Sequence, residues 1–90
     1  MDDYSLQITI SGKVQHVGFR YSTQYIAHKL GIKGFVKNLP NGKVEIEASG
    51  NTEQLVELEK WCFKGSALSK VTNVFITKIP YIKFNNFSIK

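Results

Sequence analysis

The 90-residue chain has a single cysteine, Cys62. A lone thiol cannot close an internal disulfide, so nothing in the sequence asks for an oxidising compartment. There are only two histidines, His16 and His28, and they form no tight ligand cluster with Cys62 along the chain. No metal or other cofactor is therefore expected. No apolar run approaches the ~20 residues of a membrane-spanning helix. The opening Met1-Asp2-Asp3-Tyr4 is acidic and lacks the basic-then-apolar order of a secretory leader. These absences lead to the expectation of a cytoplasmic protein with no membrane partner. The net charge is +5, yet Lys and Arg are scattered and no block of like charges exists. A basic protein attracts anions in general, so this charge is compatible with a phosphorylated substrate without selecting one. Repeats, linkers and low-complexity segments are missing too. The length fits one domain, residues 1–90, with a modest core, and a monomer is expected.

What is present is strong periodicity. Tyr4, Leu6, Ile8 and Ile10 alternate with Ser5, Gln7, Thr9 and Ser11, the pattern of a half-buried strand running to Gly12. From Phe19 the period lengthens. Thr23, Ile26, Ala27 and Leu30 make one helical stripe, and Gly31 stands where a helix-terminating glycine belongs. Gly34 to Asn38 reads as a short strand. Leu39-Pro40-Asn41-Gly42 reads as a tight turn, since Asn-Gly accepts the positive φ values of hairpins. Val44, Ile46 and Ala48 mark the return strand. Asn51 with Gln54 three residues on has capping-box spacing, Leu55, Leu58 and Cys62 give the buried stripe of a second helix, and Gly65 stops it. Val71 to Ile79 is a β-branched strand interrupted by Pro80, and Phe87 and Ile89 alternate in a short final strand. The order β-α-β-β-α-β plus a terminal strand predicts an α+β fold of the ferredoxin-like, split βαβ type, with two helices on one face of an antiparallel sheet.

The segment with chemical promise is Gly12-Lys13-Val14-Gln15-His16-Val17-Gly18-Phe19-Arg20, which joins the first strand to the first helix. At a helix N-terminus the backbone N–H groups lack partners and the helix dipole favours negative charge. Arg20 adds a planar, permanently charged fork able to grip two phosphate oxygens. Strand-to-helix loops with a glycine and a basic residue are nevertheless common, and most bind nothing. On the loop alone the bland reading stands ahead.

The same residues resemble a known family. Gly12 to Arg20 is similar to the acylphosphatase signature G-R-V-Q-G-V-x-F-R, and Gly34-Phe35-Val36-Lys37-Asn38-Leu39-Pro40-Asn41-Gly42-Lys43-Val44 to its second signature, G-[WFY]-[VA]-x-N-x-x-D-G-x-V. Glu45 to Gly50 and Phe87-Ser88-Ile89 extend the likeness over nearly the whole chain. The resemblance implies a hydrolase of acyl phosphates that uses no metal, nucleotide or covalent phosphoenzyme. It implies that the loop Gln15, His16, Val17, Gly18, Phe19 and Arg20 binds the phosphoryl group through its amides and the Arg20 side chain. It also implies that Asn38 is catalytic and orients the attacking water.

Three positions depart from the signatures. Lys13 keeps the charge of the commoner Arg, and Asn41 replaces Asp at the turn. His16 replaces a glycine in the phosphate loop, and a positive φ there would strain it. Its side chain is expected to turn to solvent, the other reading being a further donor at the phosphate. Elsewhere His28 is expected on the surface, Cys62 in the core and Trp61 at the core edge. Tyr21 and Tyr25, spaced i, i+4, are expected to pack on each other. The alternative function is a non-catalytic RNA- or anion-binding module, because Lys33-Gly34-Phe35 matches the start of an RNA-recognition motif. The match ends at Val36.

Overall fold

Alternation from Tyr4 onward produces β1 (Tyr4–Lys13), and the longer period after it produces α1 (Phe19–Leu30). There follow β2 (Lys33–Asn38), β3 (Val44–Gly50), α2 (Thr52–Lys64), β4 (Lys70–Ile79) and β5 (Phe87–Ile89). The computed structural model describes residues 3–90, so the acidic start at Met1 and Asp2 lies outside them. The strands form one sheet in the order β4-β1-β3-β2-β5. Each βαβ unit is split by a strand from the other half, which is the ferredoxin-like plan.

Leu6, Ile8 and Ile10 of β1 and Val44, Ile46 and Ala48 of β3 are buried on the helix side. Thr23 and Ala27 of α1 and Leu55, Leu58 and Cys62 of α2 close the core from above. Asn51 caps α2 with the full reciprocal box: its side chain accepts from the Gln54 N–H, and the Gln54 side chain accepts from the Asn51 N–H. Gly31 ends α1 in the left-handed region, φ 77°.

The sheet is mixed rather than wholly antiparallel. β5 pairs with β2 in parallel, Gly34 opposite Phe87 and Val36 opposite Ile89. The reason is topological. The chain leaves β4 on one edge, reverses after Pro80, and crosses the open face of the sheet to the far edge. It therefore arrives antiparallel to β4, which is the direction of β2. The crossing segment is pinned on that face: the Ile82 N–H donates to Ser5 Oγ (2.9 Å), Ser49 Oγ donates to the Ile82 carbonyl (2.6 Å), and the two hydroxyls bond to each other. Phe84 then meets Phe35 edge-on, centroids 6.0 Å apart.

The β2–β3 turn also differs in detail from the sequence expectation. The Gly42 N–H donates to the Leu39 carbonyl (3.1 Å) and the Leu39 N–H to the Lys43 carbonyl (2.8 Å), which makes Pro40-Asn41-Gly42 a three-residue loop. Only Gly42 takes positive φ, 89°. Asn41 serves through its side chain instead, its Oδ1 accepting from the Lys43 N–H at 3.0 Å.

Candidate active site

β1 delivers the loop to the site through a bulge. Its register with β4 shifts between Ser11 and Gly12. A Cβ at Gly12, φ 121°, would collide with the Lys70 carbonyl, so only glycine lets the two strands close here. Beyond the bulge Val14, 1 % exposed, and Phe19, 1 % exposed, anchor both ends of the loop in the core. The Phe19 ring packs on Trp61 with centroids 5.2 Å apart. Ser66 Oγ, from the segment after α2, donates to the Val17 carbonyl at 3.3 Å.

Between these anchors the backbone turns through two left-handed residues, His16 at φ 62° and Gly18 at φ 75°. His16 is, among the described residues, the only non-glycine with positive φ. His16 is exposed. Gly18 caps α1 without any side-chain cap, and the first turn of α1 has no acidic residue. None of the N–H groups of Gln15 to Arg20 donates to an acceptor among the described residues. Unpartnered donors, a helix N-terminus and a guanidinium in one short arc make a cradle for an anion.

A recess of about 190 Å³ opens at this arc, lined by Val14, His16, Gly18, Phe19, Arg20, Tyr21 and Asn38. Arg20 and Asn38, eighteen positions apart in sequence, thus face one cavity. Arg20 is half-buried, and its Nη1 donates to the main-chain oxygen of Lys90 at 3.1 Å. No carboxylate among the described residues pairs with it, so its charge stays available to a ligand. Asn38 sits at the end of β2 opposite Val44. Its Oδ1 is buried and has no hydrogen-bond partner among the described residues.

Of the loop residues named from sequence, His16, Gly18, Phe19 and Arg20 line the recess, whereas the Gln15 and Val17 side chains do not. Gln15 has a different task. Its Nε2 donates to the Leu39 (2.8 Å) and Lys43 (2.9 Å) carbonyls, tying the β1–α1 loop to the hairpin that carries Asn38. Tyr21 was missed as a recess residue. It is 76 % exposed and makes no ring contact with Tyr25, so the expected mutual packing of the pair is absent. Position was the available signal, since Tyr21 directly follows Arg20 in the first turn of α1. No group of His, Cys, Asp and Glu residues suited to a metal occurs among the described residues.

A split βαβ sheet that presents a basic, amide-lined recess defines a ferredoxin-like protein with a candidate anion site. Comparison with known proteins narrows the class. The family model described as acylphosphatase matches residues 6–89. An acylphosphatase of Borrelia garinii subsp. bavariensis is 46 % identical, the match covering 96 % of this chain and 97 % of the relative. The structure of an acylphosphatase from Coxiella burnetii superposes with a TM-score of 0.95 at 34 % identity, over 99 % of this chain and 94 % of the other. The acylphosphatase from Bacillus subtilis gives 0.93 at 38 % identity, over 97 % and 98 %. The chain belongs to the acylphosphatase family and is a hydrolase of that kind.

Proposed function

We propose that the recess hydrolyses the carboxyl–phosphate anhydride of small acyl phosphates to carboxylate and inorganic phosphate. Arg20 and the N–H groups of Gln15 to Arg20 hold the phosphoryl oxygens, and Asn38 aims the water. The substrate already carries a good leaving group, so catalysis consists of holding the phosphoryl group, spreading its charge and placing water in line. Water oxygen bonds to phosphorus, the bond from phosphorus to the acyl oxygen breaks, and its electron pair leaves with the carboxylate. Asn38 cannot take a proton at neutral pH. The water's proton passes to an oxygen of the phosphoryl group itself.

The observation that carries this reading is that Asn38, whose buried Oδ1 has no partner among the described residues, lines the same recess as Arg20. A buried carbonyl oxygen without a donor is costly unless a ligand or water supplies one. The reading is of one domain, a cytoplasmic monomer without a nucleic-acid partner. At the segment that matches the start of an RNA-recognition motif, Phe35 is only 8 % exposed and is covered by Phe84, which supports the hydrolytic reading over an RNA-binding one.

The test separates the two side chains. Arg20→Ala should weaken inhibition by inorganic phosphate and slow turnover, and Arg20→Lys should rescue poorly, lacking the planar fork. Asn38→Ala should cut kcat about 100-fold or more while leaving phosphate inhibition nearly intact, the mark of an interaction made mainly in the transition state. Asn38→Asp, which puts a negative charge beside an anion, should do no better. Near-wild-type kcat in folded Asn38→Ala would sink the assignment.

A further inference from the structure

Beside the recess lies a groove of about 760 Å³ between α1 and the end of α2 with the segment that follows it. Tyr21, Tyr25 and Ile26 form one wall, and Trp61, Lys64 and Ser66 belong to the other. Tyr21 lines both the groove and the recess, so the two cavities adjoin at this residue. Ser66 also holds the Val17 carbonyl, which joins the groove's far wall to the phosphate loop. Tyr21 and Tyr25 are 76 % and 64 % exposed, a large aromatic area left in water on one helix face. Lys64 is the only charged residue lining the groove, so an anionic ligand meets no like charge there.

We propose that this groove receives the acyl portion of the substrate, and that the portion it favours is aromatic or bulky and apolar rather than acetyl-sized. The inference rests on the catalytic reading of the recess. A phosphoryl group seated on Arg20 leaves the rest of the molecule to depart at the Tyr21 edge. There it meets aromatic faces that bury apolar area and stack on a flat acyl group. Tyr21 and Tyr25 are then specificity-determining residues, acting on binding of the part of the substrate that does not react.

The experiment compares kcat/KM for benzoyl phosphate and acetyl phosphate in the full chain, in Tyr25→Ala, which removes a wall, and in Ala67→Trp, which fills the groove from its exposed rim. Comparing the ratio between each variant and the parent cancels the intrinsic reactivity of the two anhydrides. The benzoyl-to-acetyl ratio should fall about tenfold in each variant, mainly through KM for benzoyl phosphate. Inhibition by inorganic phosphate reads the cradle separately. An unchanged ratio in both folded variants, with phosphate inhibition intact, overturns the groove assignment and spares the recess. An unchanged ratio with altered sedimentation in Ala67→Trp gives the groove to a second copy of the chain and overturns it as well. Failure of inorganic phosphate to compete in the unmodified protein overturns the reading of the recess, and this inference with it.

Discussion

His16 shows what one residue can and cannot disclose. Its place in the signature marks it as a glycine site, and the backbone agrees, φ 62°. A left-handed non-glycine residue costs roughly 1–2 kcal/mol, while glycine adds roughly 0.5–1 kcal/mol of unfolded-state entropy. His16→Gly should therefore stabilise slightly, by up to about 1 kcal/mol, or a few degrees in Tm, with activity within about tenfold of the parent. His16→Ala keeps the strained backbone and should show no gain. Calorimetry and initial rates decide, and a rate loss of about 100-fold or more in both variants would make His16 a working group. Cys62 is simpler. Burial, with a smaller push from Glu59, raises its thiol pKa from 9.0 to about 12. The unfolded chain then releases this proton before the folded one does. The stabilisation is complete below pH 9.0 and is lost as pH rises toward about 12. Cys62→Ala should be less stable near neutrality and lose less further stability between those limits. Parallel slopes of stability against pH for the two proteins would contradict the shift. The side-chain role of Gln15 was not legible, because its partners are main-chain carbonyls at Leu39 and Lys43. Main-chain atoms leave no trace in residue identity.

Among the elements, periodicity carried the helices, four strands and the Asn51–Gln54 cap, since each is a local pattern of burial or hydrogen bonding. β5 was legible as a strand, but its parallel partner was not, because nothing local to Phe87–Ile89 records which edge it reaches. The crossing segment decides that, and its anchor is polar. Ser5 and Ser49 look like ordinary outward positions of β1 and β3, yet they are 0 % and 5 % exposed beneath Ile82. In the ring they form with Ile82 each hydroxyl donates once and accepts once, so removing either leaves a buried group unpaired. Ser5→Ala or Ser49→Ala should cost about 1–3 kcal/mol. The double variant should cost less than the sum, because the first change already opens the ring. Thermal unfolding of all four proteins measures this, and strict additivity would dissolve the ring into independent bonds. Since β5 leads to Lys90, whose main-chain oxygen holds Arg20, the single variants should also lose some affinity for inorganic phosphate.

At the scale of the whole molecule the site draws on three distant stretches: the loop at 14–21, Asn38 on β2, and Lys90 beyond β5. Motif resemblance could name the first as far as Arg20, and Asn38, but only the topology brings the third to them. None of these stretches forms an anion site unless all are folded, so an anion that binds the recess must stabilise the fold. Inorganic phosphate at about 100 times its Kd should add about 2.7 kcal/mol, which for a domain of this size is a rise in Tm of ten degrees or more. The net charge of +5 complicates the measurement, because any salt screens repulsion among scattered cations. The control is therefore chloride at matched ionic strength. The two effects separate through Arg20. Arg20→Ala removes one of many charges and should respond to chloride like the parent. It also removes the one guanidinium lining the recess among the described residues and should lose most of the phosphate-specific rise. A phosphate rise no larger than that of matched chloride, or an undiminished rise in Arg20→Ala, would mean that the stabilisation comes from the surface field and not from the cradle.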